Sequence, residues 1–195
     1  MRFVSNILIA FLCVGVALAQ RSALTVPRNI VQLSQQAGTI VRGNVTSVRV
    51  EPHPQLTNLT TVVVSLRVTE KLKGKTGPVL TFRQFVWDIR DKYEAAGYRK
   101  GQDLLLLLNP SSSYGLTSPV GMEQGRFQVS PDKQGRIMAV NGHANVGLFS
   151  NLLQAQQSAL QISPATRALI TGHRNGPVPL LQLEEVMHGL GGTSR

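Results

Sequence analysis

TTVVVSLRVTEKLKGKTGPVLTFRQFVWDIRDKYEAAGYRKGQDLLLLLN, residues 60–109, decides the fold. In its first third Val62, Val64, Leu66, Val68 and Leu72 share one parity, interrupted by Glu70, while Thr61, Ser65, Arg67, Thr69, Lys71 and Lys73 take the other. Only Val63 breaks the polar side. One dry and one wet face predict an antiparallel strand. Residues 74–78 supply a turn. A second strand over 79–87 has Leu80 and Phe82 in one phase and Phe85 and Trp87 in the other, which predicts a bend near Arg83-Gln84. Asp88 can cap a short helix over 89–96, with Asp91 in its first turn, Arg90 and Glu94 correctly spaced as a pair, and Gly97 as a left-handed stop. Leu104 to Leu108 then reads as a strand buried on both faces, because exposing Leu105 and Leu107 would forfeit about 1.5–3 kcal/mol each.

Something must cover those two leucines. Leu180, Leu183, Met187 and Leu190 recur at helical spacing between Pro179 and Gly191-Gly192. This predicts a C-terminal helix packed outside the leucine strand. Upstream, Asn29 can cap a helix over 29–37 with Ile30 and Leu33 on one side and Gly38 as its stop. Residues 40–50 read as a strand whose apolar phase slips near Thr46-Ser47, predicting a bulge, and Pro52 and Pro54 end it. Residues 126–129 and 136–140 flank Pro131-Asp132-Lys133-Gln134-Gly135 as a hairpin. Residues 150–177 are Gln- and Ser-rich, with a helix over 152–160 as one reading.

The N-terminus reads as an export signal: Arg2, an apolar run over 7–18, and Ala17-Leu18-Ala19 as a cleavage site before Gln20. The run is shorter than the roughly 20 residues a membrane span needs. The chain's single cysteine, Cys13, falls inside this segment. The expected domains are therefore a signal peptide (1–19), a β-barrel domain (20–150) and a C-terminal extension (151–195), in a secreted or periplasmic protein whose mature chain is cysteine-free. The formal charge is +10, and residues 20–101 hold 13 Lys/Arg against 5 Asp/Glu. Such a bias favours anionic partners, an envelope component or an exported protein, or is simply a solvated basic face.

No motif specifies catalysis. Gly74-Lys75-Thr76 lacks the earlier glycine of a phosphate loop and is followed by a strand, so it is a turn. His53, His143, His173 and His188 show no ligand spacing, and no metal or other cofactor is expected. Ser111 to Ser113 and Ser118 lack the flanking glycines of a hydrolase elbow. Two surfaces stand out. Arg67, Lys71, Lys73 and Lys75 form a stripe that binds an anion, guards an edge strand or is merely a solvated face. Residues 82–100 hold five of the ten aromatics, with Phe82, Phe85, Trp87, Tyr93 and Tyr98 interleaved with Arg83, Arg90, Lys92, Arg99 and Lys100. That mixture is either a stacking surface for nucleic acid or a sugar, or it is packing, with Phe82 and Phe85 in the core and Trp87 and the tyrosines holding the short helix to the barrel. Export argues against nucleic acid as the partner.

The layout Ile40-Val41-Arg42-Gly43-Asn44-Val45, then Val64-Ser65-Leu66-Arg67-Val68 leading to Leu72-Lys73-Gly74, then Gly101-Gln102-Asp103 into the leucines, resembles a family of uncharacterised exported bacterial proteins. More distantly it is similar to the OB-fold barrel of netrin-like modules, including the tissue inhibitors of metalloproteinases. The resemblance spans residues 39–110. It implies a small antiparallel barrel with a short helix between strands three and four. Those inhibitors act through an N-terminal cysteine and disulfide-linked loops; the expected mature chain has no cysteine, so their mechanism is not carried over. The expected role is a non-catalytic exported binding module using Arg67, Lys71, Lys73, Lys75, Arg83, Trp87, Arg90, Tyr93, Tyr98, Arg99 and Lys100. The alternative is a secreted hydrolase acting on envelope material.

Overall fold

The computed structural model describes residues 26–86, 89–152 and 161–191. The export segment, Trp87, Asp88 as a helix cap, and all but Leu152 of the helix read over 152–160 lie outside these residues. Within them the protein is mainly β. Strands β1 (Thr39–Pro52), β2 (Thr60–Lys73), β3 (Val79–Phe85), β4 (Asp103–Leu108), β5 (Arg126–Pro131), β6 (Ile137–Asn141) and β7 (Val178–Pro179) form one antiparallel sheet. Its order is β3-β2-β1-β4-β5-β6-β7. Helices α1 (Ile30–Gln36), α2 (Ile89–Tyr93), α3 (Pro164–Gly172) and α4 (Leu180–Gly191) complete it. Among the described residues no helix is long and apolar enough to cross a membrane.

The leucine strand separates two cores. Leu104, Leu106 and Leu108 join Val41, Val45, Val62, Val64, Leu66, Phe82 and Tyr98 in an inner cluster on the curled face of β1–β4. Leu105 and Leu107 join an outer cluster with Leu180, Leu183, Val186 and Met187 of α4. The cover expected from the C-terminal periodicity is therefore in place. It is shared with α1, whose Ile30 and Leu33 are fully buried in the same cluster. Asn29 and Gln32 close a reciprocal capping box at its start. The helix ends at Ala37, and Gly38 is not left-handed; it matters because a Cβ there would lie 3.1 Å from the Pro110 backbone.

The expected barrel is not closed: among the described residues no strand pairs β3 with β4. Residues 109–119 run between them and make only two isolated bridges, Leu116 beside Arg83 and Pro119 beside Leu108. The bulge expected near Thr46-Ser47 is present as a register shift between Val45 and Ser47. Two further shifts bend β2 against β1, one skipping Thr69 and one skipping Leu72. Gly43 sits at the first of these, where a Cβ would meet the Arg67 carbonyl at 2.5 Å. The bend expected near Arg83-Gln84 is absent, since β3 pairs with β2 in unbroken register from Val79 to Phe85. Phe85 instead faces away from the inner cluster, opposite Thr61. Thr61, expected to be wet, is fully buried, with its hydroxyl bonded to the Glu51 carbonyl and to Arg83.

The β5–β6 hairpin forms as expected. Asp132 accepts from the backbone of Gln134 and Arg136, and Gly135 takes φ 79°. The α3 helix was not foreseen, although Ser163-Pro164 is an N-cap followed by a first-turn proline. Glu185 of α4 accepts from the Ser163 backbone and the Thr166 hydroxyl, tying α3 to α4.

Candidate functional site

The bulge at Thr69 breaks the expected basic stripe. Directly opposed residues on paired strands point to the same face. Arg67 pairs with Asn44 on the outer face, whereas Lys71 pairs with Val41, whose side chain lies in the inner cluster. The two cations therefore stand on opposite faces. Lys73 returns to the outer face and donates to the Ser34 and Gln35 carbonyls at 2.8 and 3.4 Å. There it completes the C-terminal end of α1, a structural task. Lys75 is exposed in the turn before β3. Neither Arg67, Lys71 nor Lys75 has an ion-pair partner among the described residues.

The aromatic–basic segment divides in the same way. Tyr98 is 2% exposed, meets the Phe82 ring edge-on, and carries the Arg126 guanidinium 4.7 Å above its own ring. Burial drives its phenol pKa upward, so Tyr98 is core and not a stacking platform. Arg126 also donates to the Ala96 carbonyl and to Glu123, pinning the turn that ends at Gly97. Arg83 donates to Thr61, Pro52 and Glu51 and is spent on the sheet. Tyr93, Arg90, Arg99 and Lys100 are exposed around α2 and the turn after it. Trp87 lies outside the described residues.

A concavity appears where β3 and β4 stay unpaired. A cleft of about 480 Å³ lies between Leu80–Arg83 of β3 and residues 108–117, and Gly38, Thr39, Arg49 and Val63 complete its lining. Among the described residues two arginines line it and no carboxylate does. Arg49 and Arg83 share one acid outside the lining: Glu51 accepts from Arg83 at 2.7 Å and from Arg49 at 3.3 Å. Arg83 foremost, then Arg49, hold the Glu51 pKa below its ordinary value. One carboxylate facing two guanidiniums leaves the site net positive. His53 anchors the far wall: its Nδ1 accepts from Gln55 and Leu56, leaving Nε2 to donate to the Tyr114 carbonyl at 2.9 Å.

No family model, curated protein or solved structure matches the chain.

A second charged group lies under α4. Arg42 donates to Asp103 at 2.8 and 3.2 Å, and the bond raises its pKa. Glu70, opposite Arg42, faces His188 at 3.6 Å and Glu184. Glu184 is 6% exposed, and its Oε1 has no hydrogen-bond partner. Burial, reinforced by the neighbouring Glu70 carboxyl, pushes its pKa up to about 7. Sequence reading passed over this group, although Glu70 had stood out as the one interruption in the apolar phase of β2. The bulge at Thr69 is why: it moves Glu70 to the face under α4. None of these five residues lines the cleft, and among the described residues no His, Cys, Asp and Glu group suits a metal ion.

Proposed function

We propose that the protein is an exported, non-catalytic binding module whose β3-β2-β1-β4 segment is an OB-like, netrin-like barrel left open at one seam, and that the seam binds an anionic partner. The observation that carries this reading is the cleft beside β3, with arginines and no carboxylate among the described residues of its lining. The barrel part draws on the Leu116 and Pro119 bridges, which bring residues 109–119 into the gap between β3 and β4. The binding part draws on concavity, backbone and hydroxyl groups at the mouth, and a cationic rim in which two arginines share one carboxylate. Export rests on the N-terminal segment alone. The carboxyl pair under α4 lies outside the cleft, where it has no access to a substrate held there.

Fluorescence anisotropy with labelled polyglutamate, at low and high salt, tests the reading. Binding should weaken with salt, and Arg49→Glu with Lys75→Glu should lower affinity by about tenfold or more, about 1.4 kcal/mol. The paired control Arg136→Glu with Arg174→Glu, remote from the seam, should change it less. Equal losses in both pairs would reduce the effect to net charge and reject the seam.

A further inference from the structure

We propose that the partner enters the seam as an extended acidic segment of another protein, adding as a strand along Val79–Thr81 of β3. This deepens the anion-binding reading above and depends on it.

The backbone of β3 supplies the first argument. Val68 donates to the Pro78 carbonyl at 2.8 Å and Val86 to the Thr60 carbonyl at 3.1 Å. Residues 78, 80, 82, 84 and 86 therefore turn their backbone groups toward β2. Residues 79, 81, 83 and 85 turn theirs to the free edge. Arg83 uses that edge: its carbonyl accepts the Thr117 N–H at 2.8 Å. Val79 and Thr81 have no backbone partner on that side among the described residues. Unpaired edge groups are a template for another strand.

The seam gives the second. Residues 116–119 fill one half of the gap, bridged to Arg83 on one side and to Leu108 on the other. The other half is the cleft, bounded by Leu80–Arg83 and Leu108–Ser111. An incoming strand would continue the line that Leu116 and Thr117 begin. Its side chains would alternate between apolar Leu80, Phe82 and Leu108 on one side and the cationic rim on the other.

Charge selects the occupant. Arg49 lines the cleft, Arg67 stands opposite Val79, and Lys75 sits in the turn that opens β3. Two copies of this edge would bring those cations face to face, on chains of formal charge +10 each. Basic residues beside an edge thus disfavour self-pairing and favour a strand that alternates acidic and apolar residues.

The test uses the full chain and a synthetic peptide of about eight residues alternating Val and Glu, near the usual strand length. The peptide should bind, slow amide exchange at Val79 and Thr81, and lose about tenfold or more in affinity when alternate peptide nitrogens on one edge are methylated. Thr81→Pro removes an edge N–H that β2 does not use, so the fold should persist while binding falls similarly. Thr81→Val, which keeps that N–H, should bind like the unsubstituted chain. The methylated peptide needs no protein variant, so the test stands even where Thr81→Pro misfolds. Equal binding of the methylated peptide, or binding of phosphatidylglycerol vesicles but not of the peptide, would overturn strand addition and leave anion binding intact. A homodimer lost in Thr81→Pro would make a second copy the occupant and overturn the acidic partner. If no anionic probe binds, both readings fall.

Discussion

Arg42 and Arg49 stand on the same strand in opposite circumstances. Arg42 lies under α4 and has Asp103 to itself, held by two hydrogen bonds. Arg49 lies on the uncovered stretch, more than half exposed at 58%, and shares Glu51 with Arg83. The difference follows from what covers each half of the sheet. Where α4 and α1 close over β1, β2 and β4, a charge without a partner would carry a desolvation cost of several kcal/mol, so Arg42 is held by Asp103 and Lys73 by the Ser34 and Gln35 carbonyls. Away from α1 and α4, water screens the excess, and the chain keeps positive charge beside an open seam. Packing dictates the first arrangement; the second is free to serve a partner.

Removing the cover should have the largest effect. Leu183 is fully buried and Met187 is 4% exposed, both against the outer face of the leucine strand. Leu183→Asp with Met187→Asp should cost more than about 5 kcal/mol and abolish a cooperative thermal transition followed by circular dichroism. An unchanged midpoint would mean that α4 does not seal that side.

The coil of β1 and β2 comes next. Gly43→Ala places a methyl 2.5 Å from the Arg67 carbonyl, so the strands must part. A loss of about 1–3 kcal/mol is expected, measured by urea unfolding. A neutral result would show that the bulge at Thr69 relaxes freely, and would undo the separation of Arg67 from Lys71.

Smaller still is the pH signature of the covered half. The folded-state pKa of Glu184, about 7, lies above its ordinary 4.5, so the folded chain holds this proton more tightly than the unfolded one. Its contribution is complete below pH 4.5 and is lost as pH rises through about 7. Stability should therefore drop by about 1–2 kcal/mol between pH 5 and 8, after discounting for solvent screening. Glu184→Gln, which keeps the shape without the titration, should flatten that slope. Glu51, Asp132 and Glu185 are shifted the other way, and their contribution is lost only in acid, below the ordinary carboxylate range. A wild-type slope that survives in Glu184→Gln would place the titrating group elsewhere.

Much of the fold was legible because it rests on periodicity. The alternation in β2, the doubly apolar β4, the capped α1 and the spacing of Leu180, Leu183 and Met187 each report one local period, and all four elements formed. What periodicity could not carry was the point at which a period resets. Lys71 and Glu70 keep their sequence parity through Thr69, and only the strand pairing reveals that the bulge exchanges their faces. For Arg83 and Tyr98 the sequence leaves surface and packing roles open, because their partners Glu51, Thr61 and Arg126 are distant in sequence. The seam was invisible for a related reason. It is defined by residues 109–119, which carry no periodic signal, and by the lack of a strand joining β3 to β4 among the described residues.

The open seam is the central claim, and mapping amide shifts of the isotope-labelled chain during titration with polyglutamate tests it most directly. Shifts concentrated on residues 79–83 and 109–117, fading as salt is raised, are the expected result. Shifts centred on Tyr93, Arg99 and Lys100, with the seam silent, would contradict it.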